Sequence, residues 1–193
     1  MLVGLDLSLT SPALAVHDTT TSTWHLFAFA QRVREEGVCI HDKNVCITLL
    51  PAIPKTGCNE ARYEHIRHHL VDAVLQPLCA AAPTVRVAIE SYAFGATHSG
   101  HAYKLMELGG IVKHSLFRQF PHWTIQAVPP TKWKKHTVGT GRASKAEVVT
   151  YVQHHGPCVP LLELLGLVPS STGTIPCPVQ DLADAVCLVL SLT

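Results

Sequence analysis

Four acidic residues occupy positions that indicate metal chemistry. Asp6 interrupts an apolar first strand, and Glu90 ends the run VRVAIE. Asp181 and Asp184 stand three residues apart at the start of the last predicted helix, so they share one of its faces. A carboxylate inside an apolar strand is costly to bury unless it is paired or binds a metal. Each acid alone could simply end a strand or cap a helix. The four together predict a site for Mg²⁺ or Mn²⁺. Two such ions about 3.5 to 4 Å apart would stabilise the attacking and leaving oxygens of a phosphodiester.

A basic segment near the middle of the chain is a candidate for phosphate contacts. Residues 130–146 contain no acid and carry five cations, which leaves −4 for the rest of a chain whose net charge is +1. The two prolines before it stop a strand, and its glycines at 139 and 141 permit a close backbone approach, so we predict a phosphate-binding loop. Without other information, a solvated surface loop explains the same pattern. The candidate residues are Lys132, Lys134, Lys135, Arg142 and Lys145.

Two aromatic residues follow directly after Glu90, in the segment SYAFG. Aromatic rings stack on bases, or wedge between bases that are splayed apart. Tyr92 and Phe94 are therefore candidates for nucleic-acid contact beside the predicted metals. The alternative is that both rings pack against the sheet.

The segment 101–120 predicts a helix with two apolar faces. One face is enough for packing on a sheet, and Leu108, Ile111 and Ser115 form a second strip. Gly109 and Gly110 lower helix propensity by about 1 kcal/mol each relative to Ala, which favours close packing of another helix there. The second strip predicts either a contact with another copy of the chain or a further core layer within one copy.

The elements that must position these residues follow from the apolar periodicity. Three short runs at 2–7, 13–17 and 24–30 predict an antiparallel meander. After the unassigned stretch 31–57, with one candidate strand at 45–50, helices and strands alternate. Helices are expected at 59–82, 101–120, 145–154 and 179–192, and strands at 85–90 and 124–128. Pro77 is expected to bend or end the first of these helices. This order predicts an α/β fold with a five-stranded mixed sheet, three antiparallel strands then two parallel, flanked by helices.

Composition limits the class of protein. The chain has 193 residues, 47% hydrophobic and 15% charged, which predicts one globular domain over residues 1–193 and excludes a disordered chain. No apolar run approaches the roughly 18 residues that span a bilayer, and the first segment lacks the basic start of a signal peptide, so a soluble intracellular protein is expected. The seven cysteines include no C-x-x-C pair typical of zinc sites, and we expect them to be reduced and mostly buried.

Taken in order, five motifs resemble those of the RuvC-like Holliday junction resolvases of the ribonuclease H-like superfamily, most closely the versions carried by phages and viruses. The motifs are GLDLSLTSPALAV, IESYAFG, HAYKLMELGGIVK, VPPTKWKKHTVGTGRASK and QDLADAV. They cover nearly the whole chain, leaving out mainly residues 31–57. Each motif is short, and the ordered combination carries the resemblance.

The resemblance implies a role for each candidate. Asp6, Glu90, Asp181 and Asp184 would hold two Mg²⁺ ions, with Mn²⁺ as the substitute. Lys134 and Lys135 would clamp the backbone near the cut phosphate, with Lys145 in support, and an aromatic after Glu90 would enter the junction centre. The helix at 101–120 would form a two-fold interface, so that a homodimer makes paired nicks in four-way DNA, leaving a 5′-phosphate and a 3′-hydroxyl.

Three other interpretations of the motifs remain open. A binding module would grip branched DNA without cutting it, although the retention of four carboxylates argues against this. An ATPase of the actin and sugar-kinase type has a similar first hairpin, but it needs two such domains. A related nuclease acting on RNA/DNA hybrids is distinguished only by the resemblance of the dimer helix and of the late Asp pair.

Overall fold

A computed structural model describes residues 1–30, 37, 39–55, 57–91, 100–171 and 173–193, apart from the side chains of residues 100 and 101. Within these ranges, one mixed sheet contains β1 (Leu2–Asp6), β2 (Ala13–Asp18), β3 (Thr23–Phe29), β4 (Cys39–Asp42), β5 (Val45–Leu50), β6 (Arg86–Glu90) and β7 (Thr124–Val128). The strand order across the sheet is β4-β5-β3-β2-β1-β6-β7.

The predicted sheet of five strands is wrong in number, because the described part of the chain has seven. The antiparallel pairing of β1, β2 and β3 and the parallel β6 and β7 are as predicted. The additional strands β4 and β5 form a hairpin that joins β3 through a parallel pairing of β3 with β5. Strand β5 is the candidate strand at 45–50. Strand β4 was not predicted because it is a four-residue edge strand, CIHD, with almost no apolar signal.

Helices cover both faces of the sheet. The predicted helix at 59–82 consists of α1 (Asn59–Arg67), a π-helical segment (His68–Leu75) and α2 (Gln76–Cys79). Pro77 lies in the first turn of α2, where the missing N–H of proline is tolerated. Among the described residues, no helix combines the length and hydropathy needed to cross a bilayer. The remaining helices are α3 (Gly100–Gln119), α4 (Pro130–Thr137), α5 (Lys145–His154), α6 (Leu161–Leu164) and α7 (Val179–Leu190).

Two apolar cores lie on the two faces of the sheet. Alternate residues of each strand face opposite sides, so Leu2 packs in the core beneath α5 and α7, whereas Val3 and Leu5 pack in the core beneath α1 and α3. Helix α7 is buried on nearly all sides. Because a helix in such a position is held by the sheet and by neighbouring helices together, its polar residues are fixed in place.

Helix α3 packs on the core through its first apolar face, which includes Val112 and Leu116, and also through Leu108 of the second strip. Leu108 is fully buried within one copy of the chain and so offers no surface to a second copy. Ser115 is 9% exposed and lines an open cavity together with Ile111, so its place in an interface stays a prediction. Leu108 packs in the core that also contains residues of α1 and the π-helical segment, so the core-layer alternative holds for this position of the strip. Ile111 is exposed. A Cβ at Gly110 would meet no atom within 4 Å, so close packing within one copy does not explain this glycine.

The cysteines are less buried than expected. Only Cys79 and Cys187 are buried, whereas Cys39, Cys58 and Cys158 are exposed. The expectation of mostly buried thiols is therefore wrong, since the cysteines of β4 and of the loops lie outside the cores.

Candidate active site

Two of the four acids lie at the same edge of the sheet. Asp6 is the last residue of β1 and Glu90 is the last residue of β6, and these strands are parallel neighbours with Leu5 opposite Ile89. Both acids fall on the face that α7 covers, since Gly4 and Ala88 precede them by two residues. Parallel pairing thus brings together two carboxylates that are 84 positions apart in the sequence.

The other two acids come from the first turns of α7, which packs directly on β1. Asp181 is buried and Asp184 is partly buried. The close approach depends on Gly4, because a Cβ at this position would collide with the carbonyl oxygen of Ala185 and would lie 3.0 Å from the backbone nitrogen of Val189. A glycine two residues before Asp6 therefore sets how closely the helical acids approach the strand acids.

A serine from the β1–β2 loop fixes one of the helical carboxylates. The Ser11 hydroxyl donates a hydrogen bond to Oδ2 of Asp181. The loop is itself held by Ser8, whose Oγ accepts hydrogen bonds from the backbone N–H of Thr10 at 3.2 Å and of Ser11 at 3.0 Å. The SLTSP segment thus positions a candidate ligand in addition to turning the chain.

Helix α4 contributes a tryptophan and a lysine to the same site. Trp133 is fully buried, and its Nε1–H donates a hydrogen bond to Oε2 of Glu90 at 3.3 Å. The ammonium of Lys134 lies 5.4 Å from the centre of the Trp133 ring and donates a hydrogen bond to the Ala143 carbonyl at 3.1 Å. Trp133 therefore orients Glu90, while its ring and the Ala143 carbonyl hold Lys134 nearby.

Burial raises the pKa of all four acids, and the charges of neighbouring acids raise the pKa of Asp6 and Asp184 further. Burial is the largest cause for each of the four, and for Asp6 the charges of Glu90, Asp184 and Asp181 raise the pKa further. Burial, followed by the charge of Glu90, raises the pKa of Asp184 to about 7. Such shifts, produced by burial together with specific neighbours, are typical of functional sites.

Two lysines partly offset this repulsion. The charge of Lys134 lowers the pKa of Glu90 and Asp184, and the charge of Lys145 lowers that of the three aspartates. Neither lysine makes a salt bridge of 4.0 Å or less with these carboxylates among the residues described. The site therefore keeps an excess of negative charge.

The donor set suits hard divalent cations. All four side chains offer carboxylate oxygens, which Mg²⁺ and Mn²⁺ prefer. In the described structure, no three of these carboxylates bring one oxygen each within 4.8 Å of one another.

The predicted basic loop is largely helical, and this separates its cations. Residues 130–137 form α4, and Lys145 begins α5, so only the segment between them is a loop. Lys132 and Lys135 line an open cavity of about 490 Å³, together with His136 and Gln126. The adjacent pair in WKKHTVG thus points in two directions, with Lys134 toward the acids and Lys135 toward the cavity.

The close backbone approach predicted at the glycines is partly internal to the chain. A Cβ at Gly141 would lie 2.9 Å from the carbonyl oxygen of Thr131, so this glycine packs the loop against α4. Gly139 has a φ of 93°, a conformation that favours glycine, and has open space around it. Arg142 is exposed beside them.

Tyr92 and Phe94 lie outside the described residues, so their predicted contact with bases stays a prediction. Sequence reasoning missed Ser11, Trp133 and Gly4 as parts of the site. Each stood inside a motif that had been singled out, yet a hydrogen bond across 170 positions, such as that from Ser11 to Asp181, has no local signal.

The fold is similar to that of solved Holliday junction resolvases. RuvC of Thermus thermophilus aligns with a TM-score of 0.53 at 19% identity, over 98% of this chain and 93% of that chain. RuvC of the same organism in complex with a Holliday junction substrate aligns with a TM-score of 0.54 at 20% identity, over 98% and 90%. The yeast mitochondrial Holliday junction resolvase Ydc2 aligns with a TM-score of 0.52 at 11% identity, over 98% and 75%.

At the level of sequence, no protein-family model matches the chain, and no curated protein matches it either. The structural likeness extends over 98% of the chain in each of these comparisons, and it agrees with the order of the five motifs. The chain therefore has the fold of the RuvC-like Holliday junction resolvases.

Proposed function

We propose that the chain is a structure-specific endonuclease that uses Mg²⁺, or Mn²⁺ in its place, to resolve four-way DNA junctions. The observation that carries this proposal is the convergence of Asp6, Glu90, Asp181 and Asp184 on one face of a RuvC-like sheet. One of the similar structures is a RuvC complex with a Holliday junction substrate. In enzymatic terms the proposal is a crossover junction endodeoxyribonuclease, built as one nuclease domain and acting in DNA recombination and repair.

The four carboxylates would hold two cations. When bound, the cations would activate a water for attack on the phosphodiester and stabilise the leaving oxygen. The negative charge of neighbouring acids, which raises the pKa of Asp6 and Asp184, supports this assignment, because divalent cations would relieve that repulsion.

The chain's own residues then orient the ligands and receive the DNA backbone. Ser11 holds Asp181 and Trp133 holds Glu90, so one carboxylate from the helix and one from the strands keep fixed orientations. Lys134 and Lys145 stand close enough to the acids to shift their pKa values, and they would neutralise the phosphate beside the cut bond.

A second group of cations would fix the register of the DNA. Lys132 and Lys135 line the open cavity on the other side of Trp133, and Arg142 is exposed on the following loop. These residues have no described salt-bridge partner at 4.0 Å or less. Contacts of this kind bind phosphates independently of base sequence.

Homodimer formation would use the exposed side of α3. Of the five large apolar side chains that are most exposed in the described structure, Tyr103, Met106, Ile111 and Phe117 lie on this one helix. A concentration of exposed apolar residues on one surface is typical of an interaction site. A second copy placed there would bring two active sites to one junction, which paired nicks in two strands require.

A cleavage assay with three substrates tests the proposal. Wild-type protein with Mg²⁺ should cut a four-way junction by paired nicks and leave a linear duplex and an RNA/DNA hybrid largely intact. Asp6→Asn should bind the junction without cutting it, because an amide is nearly isosteric but a poor ligand for a hard cation. Glu163→Gln, at an exposed acid in α6, is the matched control and should cut normally.

Three results would contradict the proposal. Preferential cutting of the hybrid would identify a ribonuclease H-like nuclease of different specificity. Tight junction binding by the wild-type protein without cleavage in Mg²⁺ or Mn²⁺ would identify a non-cleaving binding module. Normal cutting by Asp6→Asn would overturn the metal assignment itself.

A further inference from the structure

A second group of metal-ligating side chains lies far along the sheet from the four acids, on the hairpin of β4 and β5. Cys39, His41 and Cys46 each offer one ligand atom, and these atoms all lie within 4.8 Å of one another. Among the described residues, no other group of three His, Cys, Asp or Glu side chains meets this criterion. From this convergence we propose that the hairpin binds one Zn²⁺ ion.

The sheet register explains why these side chains meet. His41 is paired with Cys46 in the antiparallel ladder, and Cys39 is paired with Thr48. Cys39 and His41 are two residues apart on one strand, so they point to the same side of the sheet, as do Cys46 and Thr48 on the other strand. The spacing C-x-H-x4-C therefore becomes a cluster only once the hairpin has formed.

The distances in the cluster approach those of a zinc site. Zinc binds thiolate sulfur at about 2.3 Å and imidazole nitrogen at about 2.0 to 2.1 Å, so two ligands of one ion lie at most about 4.6 Å apart. Sγ of Cys39 lies 3.2 Å from Nε2 of His41. The Thr48 hydroxyl donates a hydrogen bond to Sγ of Cys39 at 3.6 Å and would continue to support a thiolate there. Small side-chain rotations would complete the arrangement.

His25 is not part of this group of three, but its position in the sheet makes it the candidate fourth ligand. In the parallel pairing of β3 with β5 it stands opposite Cys46, so His25, Cys46 and His41 form one row across three strands. Two thiolates and two imidazoles are a common tetrahedral zinc set, and soft sulfur ligands select zinc over Mg²⁺. On binding, the two thiols release their protons to solvent, and the ion gains two thiolate bonds.

The effect on the fold would be to fasten the edge of the sheet. Strand β4 has four residues, is held by β5 alone and exposes both Cys39 and His41. A zinc ion shared between β4, β5 and β3 would tie this short edge strand to the strands beneath it. The site is distinct in chemistry and in place from the carboxylate cluster on β1, β6 and α7.

Metal content and cobalt spectroscopy test the site without recourse to nuclease activity. Full-length protein purified under reducing, chelator-free conditions should contain one zinc per chain by mass spectrometry of the metal. Co²⁺ replacing zinc should give the near-ultraviolet band of a thiolate–cobalt bond and the intense visible bands of a tetrahedral ion. Carboxylates at the other site cannot produce the thiolate band.

Variants separate the proposed ligands from other cysteines. Cys39→Ser and His41→Gln alter exposed side chains, so both should fold, as checked by circular dichroism, and should lose the bound zinc and the thiolate band. Cys58→Ser, at an exposed cysteine outside the hairpin, is the matched control and should keep both. His25→Gln should weaken binding and change the visible bands.

The outcomes that count against the site are equally definite. Protein without stoichiometric zinc that also fails to bind added Zn²⁺ at micromolar concentration would overturn the proposal, as would unchanged binding in Cys39→Ser and His41→Gln. A disulfide between Cys39 and Cys46 in protein prepared under reducing conditions would show that the thiols pair with each other instead. Unchanged binding in His25→Gln would overturn the fourth ligand.

Discussion

Replacing Asp184 by asparagine should stabilise the metal-free protein at alkaline pH. Burial and the charge of Glu90 raise the pKa of this carboxyl group to about 7, so its ionised form is disfavoured in the folded state. A group whose pKa is raised on folding contributes stability that is present below its unfolded pKa and is lost as the pH rises through the folded value. The wild-type protein should therefore lose stability between about pH 4 and pH 7 in the absence of divalent cations.

The size of the effect follows from the shift in pKa. A rise from 3.8 to about 7 means that the ionised carboxylate costs on the order of 4 kcal/mol of folding free energy above pH 7. The amide avoids this cost but leaves polar atoms to be satisfied, which removes about 1 to 3 kcal/mol of the gain. At roughly 2 to 4 °C per kcal/mol for a chain of this size, Asp184→Asn should raise Tm by about 5 °C at pH 8.

Thermal unfolding in a chelator at several pH values measures this. The variant should exceed the wild type in Tm at pH 8, and the difference should change sign near pH 4, where the wild-type carboxyl group is protonated and only the cost of the amide remains. Millimolar Mg²⁺ should stabilise the wild type more than the variant, because a ligand that binds only the folded state adds RT ln(1 + [L]/Kd). The exposed-acid control Glu163→Gln should follow the wild type throughout.

A Tm for Asp184→Asn at or below that of the wild type at pH 8 would refute the electrostatic reasoning. A gap that stays constant from pH 4 to pH 8 would also refute it, since ionisation would then play no part.

Three further perturbations test the arrangement around the acids. Lys135→Ala should weaken junction binding and lower the slope of log affinity against log salt by about 0.9. Lys134→Ala should mainly slow cleavage and move the pH profile of cleavage upward, because Lys134 lowers the pKa of Glu90. Equal effects of the two variants would contradict the different roles given to these lysines. Phe117→Glu should convert the proposed dimer into a folded monomer, as measured by sedimentation. Val168→Glu, at another exposed apolar residue, is the control and should leave the dimer intact. A wild-type protein that is monomeric at high concentration would count against the interface. Gly4→Ala should push α7 from β1 and lower both Tm and cleavage, and a variant with wild-type values in both would show that the contact does not set the site.

The four acids could be selected from the sequence because each one breaks a strong local pattern. An acid in an apolar strand, or three residues from another acid on an otherwise apolar helix, is conspicuous whatever the tertiary structure. Their supporting residues lack such a signal. Trp133 reads as an ordinary core residue, and only the packing of α4 against β6 shows that its N–H reaches Glu90.

The errors in the fold have local physical causes. The edge strand β4 has the sequence CIHD, which is too short to show the alternation of apolar and polar residues that indicates a strand. The two prolines predict a loop for the basic segment, although Pro130 is favourable in the first turn of α4. The strip on α3 that contains Leu108 was assigned to an interface because periodicity identifies apolar faces without saying which partner covers each one.

The stiffness of the site explains why its electrostatics and its proposed chemistry depend on each other. Asp6 and Glu90 are fixed at the ends of adjacent parallel strands, and the contact over Gly4 fixes how close α7 lies to them. The acids therefore cannot reduce their repulsion by moving apart without unpacking the buried helix, and Lys134 and Lys145 offset only part of it. Proton uptake and divalent cations are the remaining means of relief, and they compete for the same oxygens. It follows that the pH values at which the proposed cations bind are those at which the carboxylates are ionised. The stabilisation of the fold by added divalent cations and the rate of cleavage should therefore rise together with pH.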